Sequence, residues 1–280
     1  YGGPDGPDDV LPFMRNATRG RGIPDERLVE VSGHYMLFGG RSPINERNAE
    51  LLASLSAELQ RRGSRVPLTI GNRNWHPYIA ETLRELAAAG ARRVLMLTTA
   101  AYASYSGCRQ YREDVARALE ETGLTGTIEV DKVGPYAETD GFVTAGVDAV
   151  REAVAASEPG AKVLFVTHSI PLSMDASSGS TGPEGRYSSQ HRRVAERLAS
   201  EVGVEDWEIA YCSRSGAPHI PWLEPDVNDR MEELAADGVT DVVTVPFGFI
   251  NDHMEVIYDL DTQARETAER LGLGYRRAAT

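Results

Sequence analysis

Cysteine is nearly absent from this chain of 280 residues, which carries only Cys108 and Cys212. Two thiols cannot build a disulfide scaffold, and they complete no metal motif. Long apolar runs are missing as well; none approaches the ~20 residues that a membrane-spanning helix requires. No Gly-x-Gly-x-x-Gly pattern and no phosphate loop occurs, so no nucleotide is implied. The histidines, among them His34, His76, His191 and His219, include no His-x-x-x-His pair, which leaves out the usual helical zinc site. Positive charge is in deficit: the net charge of −13 argues against nucleic acid or an anionic membrane as partner. With no visible signal peptide, the expectation is a cytoplasmic protein without membrane insertion.

What is present is an α/β pattern of sufficient length for a sizeable core. Strand-like runs occur at 66–70, 94–98, 128–133, 163–167, 207–211 and 242–245. Helical periodicity covers 46–62, 76–89, 110–121, 141–156, 188–201, 226–236 and 255–270. Regular alternation predicts parallel sheets flanked by helices. Two halves are expected, 1–145 and 146–280. Tyr1-Gly2-Gly3-Pro4 reads as the turn after a strand, so a first strand is expected ahead of it, and 275–280 shows no clear stop signal. The Ser/Gly-rich stretch 173–182 reads as a surface loop.

The chemistry concentrates where strands end. An apolar run at 162–166 leads into His168, and another at 242–245 leads through a turn into Glu255. Open α/β sheets place their ligands at such C-terminal strand ends. A neutral imidazole binds borderline divalent metals and takes up a proton near neutral pH. Near a helix N-terminus the dipole holds a carboxylate ionised; Asn251 or Asp252 is the candidate cap of that helix. Asp259, four residues on, shares its helical face with Glu255. His253 points to another face and is read as structural or as a support behind the residues of the site. Residues 15–65 hold nine arginines against six acids, or +3 within an acidic chain, which suits an anionic small molecule bound through guanidinium forks, although for most of these arginines an ordinary mixed-charge surface is the favoured reading.

Six segments now stand in order along the chain: Tyr1-Gly2-Gly3-Pro4, Arg19-Gly20-Arg21, Gly39-Gly40-Arg41-Ser42-Pro43, Thr167-His168-Ser169-Ile170-Pro171, Pro221-Trp222-Leu223-Glu224-Pro225-Asp226 and Asp252-His253-Met254-Glu255-Val256. Together they resemble the ferrochelatase family over nearly the whole chain. The resemblance implies two similar Rossmann-like, chelatase-type halves with an active cleft between them. It implies Fe²⁺ as substrate, inserted into a porphyrin, with His168 and Glu255 catalytic and in contact with the metal, and Asp259 a weaker metal contact. Gln263 stands where relatives can carry a further acid. Arg19, Arg21, Ser42 and Tyr111 are implied as propionate contacts. Tyr1 matches a position that is often methionine in relatives metallating protoporphyrin and tends to be tyrosine in those metallating coproporphyrin III, which favours coproporphyrin III here. The excess of arginine over lysine suits an actinobacterial type of source.

Tyr105-Ser106-Gly107-Cys108-Arg109 resembles the first ligand site of ferrochelatases that hold a 2Fe–2S cluster. Such a cluster needs four ligands. It is therefore expected only in a longer native chain, and Cys212 is read as part of a Tyr-Cys-Ser-Arg turn. No cofactor is needed for the chemistry itself, and a monomer is expected. Two alternatives stay open: a non-catalytic tetrapyrrole or haem carrier on the same fold, and a cobalt or nickel chelatase of the same superfamily.

Overall fold

A computed structural model of the chain describes residues 1–20, 22–179, 185–215 and 219–280. It forms two compact units. The first gathers Tyr1–Leu97, Tyr111–Lys132 and Asn251–Met254. It contains α1 (Pro7–Ala17), α2 (Asp25–Met36), α3 (Ile44–Arg61), α4 (Ile79–Ala88), β1 (Arg93–Met96), α5 (Tyr111–Thr122) and β2 (Glu129–Lys132). Helices α3, α4 and α5 fall where periodicity predicts them. It does not single out α1 or α2, because Pro7, Pro12 and Pro24 interrupt the pattern. Pro7 occupies the first turn of α1, where its fixed φ fits and its missing N–H costs nothing. Val10, Phe13 and Met14 then bury one stripe against Leu28 of α2.

β1 and β2 pair in parallel, from Arg93 opposite Glu129 to Met96 opposite Lys132. The strand expected at 66–70 is a correction: this segment joins no ladder among the described residues. Alternation selects faces, but a strand also needs a neighbour to take its N–H and C=O groups.

The second unit gathers Thr98–Gln110, Val133–Ile250 and Glu255–Thr280. After a π-helical turn at Tyr105–Gln110 come α6 (Asp140–Ala155), β3 (Lys162–His168), α7 (Leu172–Ala176), α8 (Arg186–Val202), β4 (Trp207–Cys212), α9 (Val227–Ala236) and β5 (Asp241–Val245). One continuous helical run follows: α10 (Met254–Tyr258), a π-helix over Asp259–Ala264, and α11 (Arg265–Leu271), before β6 (Gly274–Arg277). The sheet order is β4-β3-β5-β6, all parallel. Sequence pattern does not predict β6. Its Gly-Tyr-Arg-Arg sequence lacks an apolar run, and as an edge strand it half-buries alternate residues and buries none. The loop expected at 173–182 is partly helix. Asp175 of α7 is buried and accepts hydrogen bonds from the Ser188 N–H (3.0 Å) and hydroxyl (2.7 Å); Ser180, Thr181 and Gly182 lie outside the described residues.

β3 is covered on both faces. Val163 and Phe165 point toward α6 and α8, into a core that includes Val147, Val150, Val194 and Leu198. Leu164 and Val166 point the other way, among Met231, Val256, Leu260 and Ala264. Full burial of each such side chain contributes about 1.5–3 kcal/mol. α8 presents Tyr187, His191, Val194, Ala195 and Leu198 along one stripe, so His191 sits at a core position of a helix that docks on the sheet.

At the N-terminal edge of this sheet the buried Lys162 is paired with Asp206 and with Glu208 (2.7 Å), and Arg230 grips Glu208 with two bonds of 2.6 and 2.9 Å. The Arg230 and Lys162 partners hold the Glu208 carboxyl down at about 2. A depressed carboxyl contributes stability above its unfolded value near 4.5, lost as pH falls toward 2. Glu208→Gln should therefore cost about 1–2 kcal/mol at pH 7. Urea unfolding should find that deficit shrinking toward zero between pH 4.5 and 2; a pH-independent deficit would contradict the assignment.

Candidate active site

Strand parity decides what His168 meets. It shares its face with Leu164 and Val166, hence with Cys212 at the paired position on β4 and with the α10 helix. Its Nδ1 is hydrogen-bonded to the Ser169 carbonyl. A carbonyl only accepts, so Nδ1 carries the proton and Nε2 keeps its lone pair. Nε2 lies 3.9 Å from Glu255 Oε2, beyond hydrogen-bond length, with the imidazole about one-third exposed and the carboxylate more open. Glu255 sits in the first turn of α10, as its position after the 246–251 turn predicts. The helix begins at Met254, and the Asn251 amide donates to the Asn48 side chain at 2.8 Å.

Asp259 opens the π-helix one turn beyond Glu255. Its carboxylate is hydrogen-bonded by the hydroxyl of Ser213. Burial pushes the Asp259 carboxyl up to about 6, Glu255 adds to the rise, and Ser213 and His168 oppose it. Among the described residues no three His, Cys, Asp or Glu side chains gather at metal-holding spacing. Asp259 is turned toward Ser213 instead. Ser213 is the one non-glycine residue with positive φ (60°) among those described, a conformation that recurs at functional sites. Sequence reading missed it because it gains its place only from β4 lying beside β3. Cys212 likewise ends β4 and is buried, not part of a turn.

Tyr1, Arg19, Ser42 and Tyr111 belong to the first unit. The Tyr1 carbonyl accepts from the Asn74 N–H at 3.0 Å, and its ring meets the edge of Phe13 at 6.3 Å. Glycine is required next. At Gly2 (φ +80°) a Cβ would lie 3.0 Å from Asn72 and Trp75, and at Gly3 one would lie 2.7 Å from the Ser42 Cβ. Ser42 is buried, its Oγ facing the Ile44 N–H at 3.4 Å. Tyr111 stacks under the Arg73 guanidinium at 5.2 Å, and burial pushes its hydroxyl up to about 12. Arg73 is ion-paired with Asp114 at 2.9 Å, with both side chains largely enclosed. Sequence pattern does not single it out, although it lies in the Asn72-Arg73-Asn74 turn against Tyr1. Arg19 is exposed, within electrostatic reach of Tyr78. Arg21 lies outside the described residues.

Cys108 is half-buried in the first π-helical turn, while Cys212 is packed into the β4 core. Two cysteines so placed do not fit a four-ligand cluster, and the cluster anticipated for a longer chain finds no support here.

Parallel strands ending in a histidine that faces an acid-lined helix define an α/β protein with its candidate site at the C-terminal edge of the sheet. A structure titled SirB from Bacillus subtilis with Fe³⁺ superposes with a TM-score of 0.53 at 16% identity, covering 83% of this chain and 82% of that one, and so shares the fold. The sequence model of ferrochelatase matches residues 1–280. Coproporphyrin III ferrochelatase of Streptomyces coelicolor is 52% identical over 100% of this chain and 78% of its own length; that of Leifsonia xyli is 50% identical over 98% and 75%. The chain belongs to the ferrochelatase family.

Asp259 carries a testable cost. A carboxyl raised in the folded state contributes its stability below the unfolded value near 4 and loses it as pH rises through about 6. Above pH 6 the folded protein holds a buried carboxylate. Asp259→Asn should accordingly raise stability by about 1–3 kcal/mol at pH 8 and by nothing at pH 4. Denaturant melts at the two pH values check this; equal effects at both would refute it.

Proposed function

We propose that this enzyme inserts Fe²⁺ into coproporphyrin III, yielding coproheme for haem biosynthesis. The reading is carried by an imidazole whose Nε2 lone pair faces Glu255 at 3.9 Å in a chain 52% identical to a coproporphyrin III ferrochelatase. Metal insertion must remove two pyrrole protons. His168 accepts one at Nε2, since Nδ1 is already committed to the Ser169 carbonyl. The imidazolium so formed gains an ion pair with Glu255 that neutral histidine lacks, so the charge appears where it is stabilised. Glu255, mostly open to solvent, meets the arriving iron or the second proton. Asp259, its carboxyl pushed up to about 6 by burial, serves as the next proton station along the same helix.

Coproporphyrin III brings four propionates where protoporphyrin brings two. The local arginine excess, with Arg19, Arg21, Ser42 and Tyr111 as contacts, suits that anionic rim. Arg73 is already neutralised by Asp114 and is better suited to holding Tyr111 in place. Tyr1 supports the coproporphyrin preference through its match to relatives of that specificity.

An anaerobic visible-absorption assay with Fe²⁺, run side by side on coproporphyrin III and protoporphyrin IX, should show faster conversion of coproporphyrin. His168→Ala should lose about a hundredfold or more in metallation, with porphyrin fluorescence quenching titrating as in the parent. Preference for protoporphyrin would overturn the substrate assignment. Undiminished turnover in the variant would remove His168 from the mechanism, and tight binding without turnover in the parent would favour a carrier.

A further inference from the structure

We infer that Thr167, Tyr187 and His191 form a buried hydrogen-bonded ring that fixes the His168 imidazole from behind the sheet. The inference rests on the role given to His168 above. Parity places Thr167 on the opposite face from His168, against α8. There its Oγ1 lies 2.9 Å from His191 Nε2 and 3.0 Å from the Tyr187 hydroxyl. The same tyrosine hydroxyl donates to the His168 carbonyl at 2.8 Å, and His191 Nδ1 lies 2.8 Å from the Tyr187 carbonyl.

Counting protons directs two of these bonds. His191 is fully buried, and burial pushes its imidazole down to about 3, so it is neutral and carries a single proton. The Tyr187 carbonyl cannot donate, so that proton is on Nδ1 and Nε2 accepts from the Thr167 hydroxyl. The Tyr187 hydroxyl proton is left to be shared between the His168 carbonyl and Thr167 Oγ1. Two of the bonds thus have a forced direction, since reversing either would set two lone pairs against each other.

Packing holds the ring rigid. Tyr102 stacks on His191 with centroids 3.6 Å apart and planes within 12°, its own hydroxyl donating to the Phe247 carbonyl at 3.1 Å. Gly248 closes the remaining side: a Cβ there would lie 2.0 Å from Thr167 Oγ1.

The consequence reaches the reacting nitrogen through one peptide plane. Tyr187 holds the His168 carbonyl, and the Ser169 N–H of the same peptide donates to the Cys212 carbonyl at 2.8 Å. That peptide is clamped at both ends. It carries the chain to the Ser169 carbonyl, the acceptor that keeps the proton on His168 Nδ1 and the lone pair on Nε2. Ser169 is itself pinned by its hydroxyl bond to the Leu223 carbonyl at 2.7 Å. An apolar set of the same size would fill this core with no polar groups to satisfy. Thr167, Tyr187 and His191 are therefore positioning residues.

The test uses Thr167→Val, which keeps shape and deletes the hydroxyl, Thr167→Ser, which restores it, and Tyr187→Phe. Folded Thr167→Val and Tyr187→Phe should lose about ten- to a hundredfold in kcat for Fe²⁺ insertion into coproporphyrin III, with KM for porphyrin unchanged. Thr167→Ser should return to within about threefold of the parent, since both hydroxyls reach the ring. Added to His168→Ala, Thr167→Val should lower the residual rate no further. Parent-like kcat in Tyr187→Phe, or equal losses in Thr167→Val and Thr167→Ser, overturns the inference while leaving His168 in place. If His168→Ala itself retains activity, the role of His168 fails instead. Should Thr167→Val not fold, Tyr187→Phe decides.

Discussion

Successive side chains of β3 point to opposite faces of a sheet that is covered on both sides, and that alternation governs the chemistry at its end. Val163 and Phe165 lock one face to α6 and α8; Leu164 and Val166 lock the other to the helices after β4 and β5. With both faces full, the register cannot slip by one residue without turning four buried apolar side chains to the wrong layers. The last two positions inherit that register. Thr167 is delivered to α8, and His168 to the helix that carries Glu255 and Asp259. The parallel pairing sets Cys212 beside His168, which brings Ser213 to Asp259.

The two ends of the same sheet treat carboxylates in opposite ways. At the N-terminal edge Glu208 accepts from Arg230 and Lys162, and its proton affinity falls. At the C-terminal edge Asp259 is enclosed next to Glu255, and its affinity rises. The first arrangement is a fixed charge that ties β3, β4 and α9 together. The second is a carboxyl that burial raises toward neutral pH, which suits the proton transfer proposed for it. Environment, more than residue type, assigns the structural and chemical parts.

What the sequence made legible follows the same physics. β3 was readable because a strand buried on both faces is a continuous β-branched run, and His168 because it closes that run. Glu255 was readable from the turn before its helix. α1 was hidden by its prolines, although Val10, Phe13 and Met14 keep the spacing, and β6 by its arginines, which an edge strand tolerates. The run at 66–70 has strand-like alternation and no described partner, a condition that sequence pattern cannot reveal. Ser213, Arg73 and His191 were passed over for a shared reason. Each acts through a residue distant in sequence: Asp259 lies 46 positions from Ser213, Asp114 well beyond Arg73, and Thr167 is 24 positions before His191.

The likeness to SirB at 16% identity indicates how little side-chain detail the architecture itself demands. A parallel sheet offers its C-terminal edge to ligands whatever residues stand there. Making that edge chemically specific takes more. In the proposed mechanism the acceptor nitrogen must be the right tautomer, its carbonyl partner must be fixed, and the nearby acid must stay buried despite the cost of charging it above pH 6. Asp259 runs against the stability that Phe165, Leu164 and Leu260 supply around the same strand, each completely buried. A carboxyl held there at a cost of about 1–3 kcal/mol is tolerable only because a two-faced core can offset it several times over. The core of β3 and the chemistry at its end are thus one design: the first makes room in the free-energy balance for the second.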